Sequence, residues 1–270
     1  MKKVLLTLIT TVMMVVGCGK KEGCDDSHAI NFDSDVEINN GSCRYADKKN
    51  SDSIPNNSEC DTDSLNTFGI GHSIVISGDS AIDVDGNTYK SIVIGTQEWM
   101  AENLNTNKYN DGSAIATIIE NGAWQSDTSG AYCYYNNDKS NYEKPHGAMY
   151  NWYAVNTGKL CPAGWHVPSE DDWSELTGYL SDNGHNGEEA KVLKTTSGWK
   201  DNCYNGTDNY GFNVLPSSTR NYDGSFCGVN DYVGYFWSSK EGLFISLNMH
   251  STSMEKHLKS NGIPVRCLKD

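Results

Sequence analysis

Hydrophobic residues fall into three regimes along the chain. Val4 to Val16 form one apolar run of about 13 residues behind the basic start Met1-Lys2-Lys3. Residues 46–80 are rich in Ser, Asp and Asn, with Pro55 and only a weak apolar IVI at 74–76. From Ala81 to Asp270 short apolar runs recur between clusters of Gly, Asn and Asp, the punctuation of strands and turns. Ile82 and Val84, the turn residues Asp85-Gly86-Asn87, then Tyr89 and Ile92 to Ile94 predict a hairpin. Pro168 blocks helix before it, Ser169 is a candidate N-cap with Asp172 three residues on, and Glu170 and Asp171 suit the positive helix end. Trp173, Leu176 and Leu180 then share one face, which predicts a short amphipathic helix. Glu188 to Lys194 offers a second. GFNVLPSSTR, YFWSSKE, LFISLNMH and GIPVRCLKD predict further strands. Strands, one or two helices, then strands give an α+β class rather than a βαβ array.

The apolar run at the N-terminus is too short to span a bilayer, which needs roughly 20 residues, and it has the form of a signal-peptide core. Val15-Val16-Gly17-Cys18 resembles the bacterial lipobox, in which the cysteine is lipidated and becomes the mature N-terminus. An ordinary secretory signal with an incidental Cys18 is the alternative. Gly19 after Cys18 favours outer-membrane delivery, with leaflet and surface exposure left open. The expected organisation is a signal at 1–17, a tether at 18–23, a small Cys-bounded unit at 24–45, a flexible linker at 46–80 and a folded domain at 81–270.

Composition narrows the function. The formal charge of −14 argues against a nucleic-acid partner, because phosphates would be repelled. Seven Trp and 15 Tyr are too many for a wholly disordered chain, and aliphatic residues are thin beside 26 Gly. Nine cysteines less Cys18 leave an even set without a CxxC pair, which reads as disulfides in an oxidising compartment.

Gly23-Cys24-Asp25-Asp26, Ala29, Asn31-Phe32 and Asn40-Gly41-Ser42-Cys43-Arg44-Tyr45 resemble a short bacterial cell-surface repeat. So small a unit needs a staple, and Cys24–Cys43 is the natural one. Asp33, Asp35 and Glu37 alternate as in acidic calcium loops, but the loop pattern is incomplete and a solvated acidic loop stands ahead of a calcium site. No other cofactor is expected. Asp83-x-Asp85-Gly86 is explained by a turn between two strands.

DVDGNTYKSIVIGTQEWMAENLN, CYYNND, HGAMYNWYAV, CPAGWHVPSEDDWSEL, LKTTSGW, NGTDNYGFNVLPSSTR, YFWSSKE and GIPVRCLKD resemble, in order over 81–270, the Fibrobacter succinogenes major paralogous domain. That family occurs on exported bacterial proteins, often lipoproteins. Its WHVPSEDDW and VRC segments are similar in turn to the C-type-lectin-like fold, particularly the branch with formylglycine-generating enzymes. The resemblance implies a fold and a location, not an activity. It implies a Cys161–Cys267 disulfide from the helix region to the last strand. Cys203 and Cys227 flank a Gly- and Asn-rich stretch and are a reasonable second pair. Cys60 and Cys133 remain, paired with each other or with one of them free.

A search for chemistry returns little. The seven histidines make no HExxH or HxH pattern, and His166 in the WHVP segment reads as structural. GxSxG and P-loop motifs are absent, as are the EPN, QPD and WND motifs of calcium-dependent lectins. Glu170-Asp171-Asp172 is accounted for by a helix start. Cys227 and Cys267 do not reproduce the active pair of the formylglycine-generating enzymes. The remaining expectation is a non-catalytic binding or adhesion module for glycan or protein ligands, anchored to the membrane by lipid. The alternative is an enzyme of the formylglycine type with an unrecognised site. Trp124, Tyr134, Tyr135 and Trp152 are the candidate contact residues, although most of the aromatics of this region read as core.

Overall fold

The computed structural model describes residues 76–200, 204–227 and 232–270, together with the backbone of 22–23, 38–39 and 228–230. Cys18, Cys24, Cys43, Cys60 and Cys203, the acidic positions Asp33, Asp35 and Glu37, the signal segment and the linker up to residue 75 lie outside the described residues. The chain divides into two compact units, Met1–Asn56 and Asn57–Asp270. In the first, β1 (Glu22–Gly23) pairs in parallel with β2 (Ile38–Asn39).

The second unit begins its sheets earlier than the sequence pattern indicates. β3 (Ile76–Ser77) pairs antiparallel with β6 (Ser91–Ile94), and the Asp79 amide donates to the Glu98 carboxylate at 2.7 Å. The last residues assigned to a flexible linker are therefore part of the fold. The pairing of Ile76 with Val93 and of Ser77 with Ile92, and an ion pair of Asp79 with Lys269 at 3.1 Å, outweigh the polar composition of this stretch.

The predicted hairpin joins β4 (Ala81–Ile82) to β5 (Thr88–Tyr89). Asp83 organises its turn, accepting from the amides of Asp85 and Asn87 at 2.9 Å each and from the Tyr89 hydroxyl at 2.7 Å. Gly86 takes a φ of 84°, open to glycine at little cost. A second tight hairpin then runs from β6 to β7 (Gln97–Met100).

β8 (Ala116–Thr117), α1 (Asn121–Ser126), β9 (Ala131–Cys133), α2 (Lys139–Tyr142), β10 (Met149–Tyr150) and α3 (Trp152–Val155) follow. The three helices are corrections to the expectation of one or two. They are one turn or a little more, too short to show a 3.6-residue period. Asp138 and Asn151 cap α2 and α3 by accepting the amides of Asn141 and Ala154.

After β11 (Trp165–His166) comes α4 (Glu170–Leu180), the predicted amphipathic helix. Its capping box is complete: the Ser169 hydroxyl accepts the Asp172 amide at 3.2 Å and Asp172 accepts the Ser169 amide at 2.7 Å. A π turn at Ser181–His185 leads to α5 (Glu189–Leu193). The chain finishes with β12 (Ser217–Arg220), β13 (Phe226–Asn230), β14 (Gly234–Trp237), β15 (Leu243–Leu247), β16 (Thr252–Lys256), β17 (Ile263–Pro264) and β18 (Leu268–Lys269).

These strands make a five-stranded sheet in the order β11-β18-β7-β6-β3, a four-stranded sheet β17-β10-β9-β8, a three-stranded sheet β14-β15-β16 and the two hairpins β4-β5 and β12-β13. The class is α+β. Trp173, Leu176 and Leu180 of α4 bury against Trp99, Ile92 and Phe236, with the rings of Trp99 and Trp173 4.6 Å apart. A second core gathers Met100, Tyr150, Trp237 and Val265 around the Cys161–Cys267 disulfide.

One buried cation has a consequence for stability. Lys194 is fully buried; its ammonium donates to the Asn248 carbonyl at 2.8 Å and lies 4.0 Å from the Trp199 ring centroid. Burial pushes its pKa down from 10.5 to about 8. The unfolded amine keeps its proton across that window while the native one has lost it, so the contribution of Lys194 to stability rises with pH from about 8 to about 10.5. Urea denaturation of the wild type and Lys194→Met at pH 7.5 and pH 10 is expected to show the wild type gaining on the variant at the higher pH. An unchanged difference would show that this amine titrates normally.

Candidate binding cleft

β9 ends at Cys133, and the next 16 residues fold into one wall of a small cleft. Tyr134 turns inward, and its hydroxyl donates to the Asn105 side chain at 2.9 Å. Tyr135 opens a 3-10 turn in which Asn136 and Asn137 take left-handed φ values of 51° and 57°. α2 then presents Tyr142, and the loop after it carries the cis Lys144–Pro145 bond and His146. Gly147 takes a φ of 75°, and a Cβ there would lie 2.8 Å from Asn103 Cβ, so only glycine lets the loop press onto Asn103.

The product is a strip of half-buried rings. Phe226 and Tyr135 are 5.7 Å apart, Tyr135 and Tyr142 4.9 Å, and Tyr142 and His146 5.9 Å. Pro216 to Ser218 and Asn103 line the same cleft. The water-sized space inside is about 10 Å³, room for one small group. Asn103 is held from both ends: it donates to the His146 carbonyl at 2.8 Å and accepts from Arg266 at 2.6 Å. Burial pushes His146 below the usual imidazole range, and its bond to the Pro216 carbonyl only partly opposes this. Ser218 is 7% exposed and its Oγ has no partner in the protein. Its neighbour Ser217 instead accepts the Tyr235 amide at 2.9 Å. The β12–β13 register shifts between Ser217 and Thr219, an irregularity of the kind that re-aims side chains.

Three of the four aromatic candidates are corrected by burial. Trp124 is fully buried, donates from Nε1 to the Ser260 carbonyl at 2.6 Å and stacks under the Arg220 guanidinium at 4.4 Å. Tyr134 and Trp152 are 7% and 5% exposed. An aliphatic-poor chain fills its core with aromatic rings, and these three do that work. Only Tyr135 lies at the cleft. Tyr142, His146, Phe226 and Ser218 were not among the candidates. Tyr142 and His146 sit in a polar stretch without periodicity, and nothing in the sequence marks Ser218 as unpartnered.

The remaining candidates resolve separately. Cys161 and Cys267 are bonded across a separation of 106 residues. Cys227 is disulfide-bonded, while Cys203 lies outside the described residues. Cys133 is a free, buried thiol, so the pairing with Cys60 is corrected. Burial pushes its pKa up to about 12 against the opposing Arg220 charge, leaving it protonated and inert. His166 Nδ1 lies 2.7 Å from Asp270 and Nε2 3.4 Å from Asp172, clasping the final residue to the start of α4. The Ser169 hydroxyl is directed at Asp172 rather than at the imidazole, which is capping geometry and not nucleophile activation. Asp85 is held by Lys108 at 2.9 Å and by the Asn107 amide at 3.0 Å. Among the described residues no group of three or more His, Cys, Asp or Glu is placed to hold a metal ion.

A family model described as the Fibrobacter succinogenes major domain matches residues 92–269, from β6 to the end of β18. The chain belongs to this family. The Fibrobacter succinogenes major domain thus contains the whole cleft, while β3 and the β4–β5 hairpin precede the matched span. No curated protein and no solved structure matches the chain. Among the described residues no helix is long and apolar enough to cross a membrane.

Proposed function

We propose that the chain is a lipid-anchored protein of the bacterial cell envelope, held at the outer membrane through Cys18, whose large domain is a non-catalytic binding or adhesion module for a glycan or surface protein. The observation that carries the reading is the half-exposed strip Tyr135–Tyr142–His146 in a cleft also lined by Ser218, whose buried hydroxyl has no partner. Half-exposed aromatic rings and a hydroxyl without a partner are binding groups. The one imidazole–carboxylate cluster described above is occupied in holding the C-terminus. The fold belongs to the same proposal: we read it as C-type-lectin-like. The Cys161–Cys267 bond and the pairing of β7 with β18, which brings the two ends of the domain together, support that reading.

An array printed with glycans and with envelope proteins tests the function. The wild-type protein is expected to give signal that Tyr135→Ala and Tyr142→Ala each reduce about tenfold, with their urea midpoints near that of the wild type. Signal that survives both substitutions would place the binding face elsewhere.

A further inference from the structure

We infer that the cleft takes an uncharged, hydroxyl-rich ligand, a neutral saccharide, with one sugar face on a ring of the edge-to-face Tyr135–Tyr142 pair and one hydroxyl in the space that Ser218 lines. The inference rests on the reading of this cleft as the binding face.

Charge decides the ligand class first. No side chain lining the cleft carries a formal charge at neutral pH, since His146 is held below its usual range. Recognition of a carboxylate or phosphate would call for a fixed cation or converging amides, and recognition of an amine for a carboxylate. Arg266, the charge that reaches the cleft lining, gives its donors to Asn103 and the Phe212 carbonyl, and Lys144, two residues before His146, is exposed and does not line the cleft. Lys139 pairs with Glu143 at 3.3 Å, and Glu143 also accepts from Asn105 at 3.1 Å. At longer range the net charge of −14 repels anions.

The polar groups fit hydroxyls. Ser218 Oγ can both donate and accept, and the structure leaves it neither partner. A neutral imidazole that gives its proton to the Pro216 carbonyl keeps its other nitrogen as an acceptor. A buried hydroxyl without a partner is destabilising, and a ligand hydroxyl would relieve that cost. The water-sized space admits one substituent and no ring, so the ring itself must lie on the aromatic strip outside.

A peptide fits less well. β12 pairs with β13 on one side and is bridged through Arg220 to Gly262 on the other, so this wall offers no free strand edge for a peptide backbone.

Isothermal titration of the full mature chain in detergent micelles tests the ligand class. Cellopentaose, xylopentaose and mannopentaose serve as neutral probes, pentagalacturonate as the acidic probe, and penta-alanine and pentalysine as peptides. At least one neutral oligosaccharide is expected to bind. Tyr142→Ala should weaken it about tenfold and Ser218→Ala about fivefold, with unfolding midpoints preserved. Failure of every neutral probe overturns the inference, as does neutral binding indifferent to both substitutions. If only the acidic or peptide probes bind, and do so through Tyr142, the ligand class is wrong while the binding face stands. If Tyr142 matters for no probe and for no array spot, the binding face falls as well.

Discussion

Replacing both Cys161 and Cys267 with alanine is expected to remove about 4–5 kcal/mol of stability, the chain-entropy value for a closed loop of this length. The bond spans 106 residues, so in the unfolded chain it confines more than half of the domain. Both cysteines are buried, and the Cys267 carbonyl accepts the Met100 amide at 3.0 Å, so the bond sits where the last strand meets the first sheet. Domains of this size are stable by only about 5–15 kcal/mol, so the loss is a large share of the whole. A fall in melting temperature of roughly 10–20 °C follows, since each kcal/mol moves a domain of this size by about 2–4 °C. The double variant is the cleaner test, because a single substitution leaves an unpaired buried thiol. A loss under about 1 kcal/mol would mean that the unfolded chain is already confined, by residual structure or by the disulfide of Cys227.

The parts of this fold legible in the sequence are those whose cause is local. α4 declares itself through Pro168, the Ser169–Asp172 box and the spacing of Trp173, Leu176 and Leu180, all within 13 residues. The β4–β5 hairpin is written in Asp85-Gly86. The pairing of Trp99 with Leu268 is not readable in the same way, because register between strands 169 positions apart is set by the packed core. The same limit governs the candidate site. Trp124 and Tyr135 are both aromatic residues among Gly, Asn and Ser. One is buried because Arg220 and the Ser260 carbonyl receive it, the other half-exposed because the 3-10 turn lifts it out. Residue type names the chemistry, and burial assigns the role.

Buried cations are the feature that composition hides most completely. Arg220 donates to the carbonyls of Ile118, Ile119 and Gly224 and stacks between Trp124 and Phe226, so it fixes the loop before α1 and the ring at one end of the cleft strip. Arg266 does the corresponding work beneath the cleft. A sequence reading places arginines outside, because charge is costly to bury. These two are buried because a planar guanidinium can satisfy several carbonyls at once while offering its faces to rings.

Arg266→Ala is therefore expected to cost about 3–5 kcal/mol. The guanidinium is fully buried between Phe212 and Phe236, with its centre 4.7 Å and 4.9 Å from the two ring centroids. It donates to the Phe212 carbonyl and, at 2.6 Å, to Asn103 Oδ1. Burial pushes its pKa down, with the charges of Asp208 and Glu102 opposing. Truncation would leave a cavity between two rings and strand both acceptors without water. Arg266→Lys keeps the charge and most of the stem, yet a single ammonium cannot bridge the Phe212 carbonyl and Asn103 while filling the gap between the rings. It should still lose about 2 kcal/mol or more. Urea denaturation followed by tryptophan fluorescence measures both. The order Ala below Lys below wild type is the expected one, and a Lys variant equal to wild type would show that charge alone is what the site requires. Asn103 couples this core to the cleft, because the same side chain that accepts from Arg266 donates to the His146 carbonyl. Loss of the guanidinium frees Asn103 to turn, so Arg266→Lys should also weaken ligand binding at the cleft under conditions where the domain remains folded.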